Sequence, residues 1–79
     1  MTASDIVRLL KASPFRPFRI QMANGDRFEI RHPEMAIVTT YIVALGIPRP
    51  EGGDIAEGVV HLSISHIDRL EQVEQPSHA

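Results

Sequence analysis

The chain has no cysteine and no tryptophan, and only one tyrosine and three phenylalanines among its 79 residues. Without cysteine, neither a disulfide framework nor a thiolate metal site can form. A small domain that folds without such staples points to a cytoplasmic setting. The few aromatic side chains leave little for stacking nucleic-acid bases. No apolar run approaches the roughly 20 residues needed to cross a bilayer. The opening MTASDIVRLL carries Asp5 and lacks the apolar centre of a signal peptide, so neither membrane insertion nor export is expected. Lysine is scarce as well, since seven of the eight basic residues are arginine, which forks onto carboxylate or phosphate.

What is present reads as one small globular domain over residues 1–74 with a flexible tail at 75–79. The composition is 43% hydrophobic and 23% charged, with a net charge of −2. A chain of this length buries only roughly 60–65% of its unfolded surface, so self-association is one route to further stability. Charge is uneven along it. Arg8, Lys11, Arg16, Arg19, Arg27 and Arg31 outnumber the acidic residues before Glu34, and the balance reverses after it.

The clearest local pattern is FRIQMANGDRFEIR, Phe18 to Arg31, with apolar residues at every second position on either side of Asn24-Gly25. Alternation of period 2 predicts two half-buried strands joined by a hairpin. Directly paired residues share a face. A two-residue loop would set Met22 against Arg27. A three-residue Ala23-Asn24-Gly25 loop sets Ile20 against Phe28, Phe18 against Ile30 and Arg19 against Glu29. The longer loop, with Gly25 in the left-handed region, is therefore predicted.

Around the hairpin, Ile6, Leu9 and Leu10 at helical spacing predict a helix over about 4–12, stopped before Pro14. Phe15 and Phe18 of the stiff PFRPF segment are expected to plug the edge of a core. His32-Pro33-Glu34 reads as a turn. Ala36 to Leu45, AIVTTYIVAL, is rich in β-branched residues and apolar on both parities, so it reads as a strand that is long, strongly bent or buried on both sides. Residues 46–58 form the longest irregular stretch, in which Ile47 and Pro48 are candidate peptide anchors. Strands at 59–64 and 69–73 follow. One helix and about five short strands, one of them apolar on both faces, predict a small, strongly bent five-stranded antiparallel barrel.

This order of a helix before a five-stranded barrel resembles Sm-like proteins, and the barrel alone resembles SH3-like domains. The MANGDRFEI hairpin and the closing HLSISHIDRLE carry that resemblance. The chain also resembles a family of short uncharacterised bacterial proteins. The shared features are the N-terminal helix, Pro14-Phe15-Arg16-Pro17-Phe18, Arg31-His32-Pro33-Glu34, and His66-Ile67-Asp68-Arg69-Leu70-Glu71. That resemblance implies a common fold and brings no activity with it.

Chemistry-bearing patterns are sparse. His32, His61, His66 and His78 lack the spacing of metal ligands. Ser63, Ser65 and His66 lack a nucleophile elbow and an orienting acid. Glu29 has Arg19 as a cross-strand partner, which disfavours pairing it with Glu34 for acid–base work. Gly52-Gly53 has no lysine and following helix to cradle phosphate. The expectation is a non-catalytic module with no cofactor, a homo-oligomer or a binder of another protein, joined through the edge of the 36–45 strand at Thr40, Ile42 and Val43. The alternative is an Sm-like nucleic-acid (RNA) binder using Arg8, Lys11, Arg16, Arg19, Arg27 and Arg31, whose affinity would fall steeply with salt.

Overall fold

A computed structural model describes residues 1–73, and the tail expected at 75–79 lies outside the described residues. Helix α1 spans Ala3–Leu10. Six strands follow: β1 Phe18–Met22, β2 Arg27–Ile30, β3 Ala36–Val38, β4 Ile42–Ile47, β5 Gly58–Ser63 and β6 Ile67–Gln72.

The start of α1 is fixed by its polar residues. The Asp5 carboxylate accepts hydrogen bonds from the Thr2 backbone N–H at 2.8 Å and the Thr2 hydroxyl at 3.2 Å. Those bonds, the backbone one foremost, hold the Asp5 carboxyl below the usual carboxylate range. They also satisfy a donor that the first helical turn leaves free. Ile6 is fully buried, and Leu9 and Leu10 pack half-buried against the same core. The helix is shorter than the expected 4–12.

The β1–β2 hairpin has the register that parity required: Phe18 faces Ile30, Arg19 faces Glu29 and Ile20 faces Phe28. Its loop is closed by Met22 N–H donating to the Asp26 carbonyl at 2.8 Å and Gly25 N–H to the Met22 carbonyl at 2.9 Å. Gly25 has φ 98°, a backbone state costly for any residue with a Cβ. The Phe15 and Phe18 rings meet edge to face with centroids 6.2 Å apart, Phe18 fully buried and Phe15 half-buried. The PFRPF segment thus plugs the core as expected.

The stretch expected to form one bent strand, Ala36 to Leu45, is a hairpin. β3 and β4 pair antiparallel, Ala36 with Leu45, Ile37 with Ala44 and Val38 with Val43. The Thr39 N–H donates to the Ile42 carbonyl at 2.8 Å, which leaves Thr40-Tyr41 as the loop. The Thr39 hydroxyl clamps the same turn, accepting from Ile42 N–H and donating to the Ile42 carbonyl, both at 3.1 Å. The turn switches parity: Ala36 and Val38 point inward before it, and Val43 and Leu45 after it. Apolarity on both parities is therefore two one-sided strands in series.

The expected five-stranded barrel, SH3-like or Sm-like, is overturned. The six strands form two three-stranded antiparallel sheets, ordered β2-β1-β6 and β3-β4-β5, and neither closes. The extra strand comes from the 39–42 turn. Closure is missed at two corners, the 3-10 turns Pro33–Met35 and Ile64–His66. Each redirects the chain so that consecutive strands, β2 then β3 and β5 then β6, enter different sheets. Both sheets turn their apolar faces to one core of Phe18, Ile20, Met22 and Ile30 from the first and Val43, Leu45 and Leu62 from the second. Ile6, Ile64 and Ile67 complete it from α1 and the second corner. Among the described residues no polar or charged residue is buried.

Candidate functional site

With the inward positions committed to the core, the two outward sheet faces carry whatever chemistry the strands present. They differ sharply. On the first sheet, alternation puts Arg19 and Gln21 of β1, Arg27 and Glu29 of β2, and Arg69 and Glu71 of β6 outward. Pairing aligns them in two rows, Glu29–Arg19–Glu71 and Arg27–Gln21–Arg69. Arg19 reaches Glu29 at 3.3 Å and Glu71 at 3.7 Å; Arg31 reaches Glu29 at 2.8 Å and Arg69 reaches Glu71 at 3.3 Å. A hydrogen bond from Arg69 to the Gln21 side chain, 3.3 Å, lies within the second row, and the Arg69–Glu71 ion pair ties the two rows together. The Glu29 carboxyl is held below the usual carboxylate range, chiefly by the Arg19 hydrogen bond, with the charges of Arg31 and Arg19 adding and partial loss of solvent opposing. Four arginines stand on this face against two glutamates.

The second sheet's outward face carries Ile37 of β3, Ile42, Ala44 and Gly46 of β4, and Val59, His61 and Ser63 of β5. Ile37, Ala44 and His61 form one cross-strand row, with Gly46 beside Val59 and Ile42 beside Ser63. Ile37 is 67% exposed and Val59 60%. No outward position on these three strands bears a fixed charge. Exposed apolar side chains gathered on one face mark contact sites more often than isolated ones do.

Sheet edges differ too. β2 carries Arg27 and Glu29, and β6 carries Asp68, Arg69 and Glu71. β3 has only three residues, with α1 against it. β5, GVVHLS, has six residues, no charge and no proline, and among the described residues no strand pairs with its outer edge. Charges, brevity and cover are the devices that keep sheet edges from pairing with other chains, and among the described residues β5 has no charge, is not short and has no strand over its outer edge.

The 46–58 stretch is anchored by Glu57 N–H donating to the Ile47 carbonyl at 2.8 Å and carries an Arg49–Glu51 ion pair at 2.7 Å. With His32, Glu34 and Met35 it encloses an open cleft of about 270 Å³, lined also by Pro48 and Asp54. Ile47, expected as an anchor beside Pro48, belongs to β4. Among the described residues no three His, Asp or Glu side chains gather as a metal site. The Ser63 and Ser65 hydroxyls lie 3.0 Å apart, hydrogen-bonded to each other. His78 lies outside the described residues.

The expected basic set divides. Arg19, Arg27 and Arg31 share the first sheet's face, joined by Arg69, whose place there depends on the β1–β6 pairing. Arg8 and Lys11 belong to α1 and its end, with Arg8 3.9 Å from Asp5, and Arg16 lies in the segment before β1. Of the expected association residues, Thr40 is in the exposed turn, Ile42 is half-buried and Val43 is fully buried. β4 is the middle strand of its sheet, bonded to β3 and β5, so it offers no edge to a second chain. The open edge is one strand over. The uncharged run GVVHLS was the signal for it. Comparison with protein-family models, with curated proteins and with solved structures finds no match.

Proposed function

We propose that this chain is a non-catalytic interaction module, acting in the cytoplasm, that assembles with a second copy of itself through the outer edge of β5. The observation carrying this reading is that β5 is a six-residue edge strand with no charge or proline, bordering an uncharged face. Two such edges, related by a two-fold axis, pair antiparallel and join two three-stranded sheets into one of order β3-β4-β5-β5-β4-β3. Each edge supplies backbone donors and acceptors that otherwise face solvent. The test replaces Val59 and His61 together by lysine. Val59 is 60% exposed and His61 is also exposed, so the fold is retained. Light scattering should give twice the 8.8 kDa of one chain for the wild type and a single chain for the double variant. A wild type of single-chain mass, or a double variant that still assembles, overturns the reading.

A second reading has support in the surplus of arginine on the first sheet's face, where Arg27 stands outside the ion pairs among the described residues. In it, that face binds a nucleic-acid backbone. Arg27→Ala with Arg69→Ala would then weaken binding of single-stranded RNA at low salt, with a shallower salt dependence. No binding at low salt removes this reading.

A further inference from the structure

We infer that the pair formed through β5 binds a divalent transition-metal ion between its two copies of His61, an inference that rests on β5 pairing with its own copy. Backbone hydrogen bonding limits the register. In an antiparallel ladder, residues whose N–H and C=O point to the neighbouring strand alternate with residues whose groups point away from it. Thr39 N–H donates to the Ile42 carbonyl, so Ile42, and by alternation Ala44, bond towards β3. Val43 and Leu45 therefore bond towards β5, and Ile64 N–H donating to the Tyr41 carbonyl continues the same alternation. Their partners Leu62 and Val60 face β4. The N–H and C=O groups of Val59, His61 and Ser63 are left along the outer edge.

A two-fold pair uses all three of these residues only when it is centred on His61. His61 then bonds to the partner's His61, Val59 to the partner's Ser63 and Ser63 to the partner's Val59. Centred on Val60 or on Leu62, the pair leaves Ser63 or Val59 without a partner in β5. The His61-centred register therefore satisfies the most backbone groups.

Directly opposed residues share a face, so in this register two imidazoles stand side by side on the outward face, their Cα atoms about 5.5 Å apart. That spacing lets one nitrogen of each ring reach a common ion at about 2.0–2.1 Å, and imidazole suits zinc, copper and nickel. On its other side His61 has Ala44 of β4, whose methyl group leaves the ring room to turn. No outward position on β3, β4 or β5 bears a fixed positive charge to repel the ion. His61 is exposed, and edge pairing leaves this face in water, which supplies the remaining ligands. Within one chain no three His, Asp or Glu among the described residues gather around an ion, so the site is incomplete without the second copy. An ion held by both copies binds the pair in preference to the single chain. At free zinc about ten times its dissociation constant from the pair, the chain–chain dissociation constant falls about tenfold.

Sedimentation equilibrium on the full chain at mildly alkaline pH, in zinc chloride or in EDTA, for wild type, His61→Ala and His66→Ala, tests this. Zinc should tighten association of wild type and His66→Ala about tenfold and leave His61→Ala unchanged. Equilibrium dialysis of the wild type should give one zinc per two chains. A wild type that assembles equally in zinc and in EDTA overturns the inference and leaves the β5 reading standing. A His61→Ala variant that zinc tightens as much as wild type overturns it as well. A wild type that stays single in both fails the β5 reading itself, and the inference with it.

Discussion

Removing the same three carbons from Ile20 and from Ile37 should have very different consequences. Both changes are Ile→Ala in a strand, yet Ile20 is 0% exposed in the middle of the first sheet and Ile37 is 67% exposed on the outside of the second. At about 0.8 kcal/mol per buried carbon, Ile20→Ala loses about 2.4 kcal/mol of transfer free energy. The void left between Phe28, Leu70 and the opposite sheet raises the loss to about 3–4 kcal/mol. For Ile37 only a third of the side chain is out of water and no void forms, so the loss stays below about 1 kcal/mol. The whole domain, at about 0.05–0.15 kcal/mol per residue, is stable by about 4–12 kcal/mol, so the Ile20 variant loses a large share of it. Urea unfolding followed by far-ultraviolet circular dichroism, at one fixed protein concentration, reads the difference. With a slope of about 1 kcal/mol per molar urea, the midpoint should fall by about 3–4 M for Ile20→Ala and by less than about 1 M for Ile37→Ala. Equal losses would mean that Ile37 faces the core, and the parity switch at the 39–42 turn would be wrong.

Three further outcomes follow from the geometry. Gly25→Ala should lower thermal stability by about 1–2 kcal/mol through backbone strain alone, because a Cβ there meets nothing within 4 Å. Thr39→Val keeps the shape of the side chain but removes its bonds to Ile42, so it should cost about 1 kcal/mol and speed amide exchange in the β3–β4 hairpin. Glu29 has a folded-state pKa below its ordinary value, so its contribution is present above the unfolded value and is lost as pH falls through the folded one. Urea midpoints compared at neutral pH and at about pH 3 should therefore fall less in Glu29→Gln than in wild type.

Much of the local structure was legible because one principle dominated at each place. The β1–β2 register followed from parity once Gly25 supplied a left-handed turn residue, and the Arg19–Glu29 pair came with it. The helix followed from the spacing of Ile6, Leu9 and Leu10 and the stop before Pro14. The β3–β4 turn was not legible. It contains no Gly, Pro, Asn or Asp and is held instead by the Thr39 hydroxyl, so Val38 to Val43 reads as a continuous run of β-branched and aromatic strand formers. Missing it made two one-sided strands look like one two-sided strand, and that strand suggested a barrel. Whether sheets close depends on which edges meet, and no local pattern encodes that. The same holds for the candidate surfaces: Arg69 and Glu71 join Arg19 only through the β1–β6 pairing, and β5 became an edge only once β4 was seen to lie between β3 and β5.

Residue-resolved amide hydrogen exchange across β5 tests the central claim most directly. The amides of Gly58–Ser63 that point away from β4 have no strand partner among the described residues of a single chain and gain one when two β5 edges pair. The expected result is protection of those amides near that of the β4 amides at high protein concentration and neutral pH, lost on dilution. Exchange as fast as that of the exposed Thr40-Tyr41 turn at every concentration would contradict pairing through this edge.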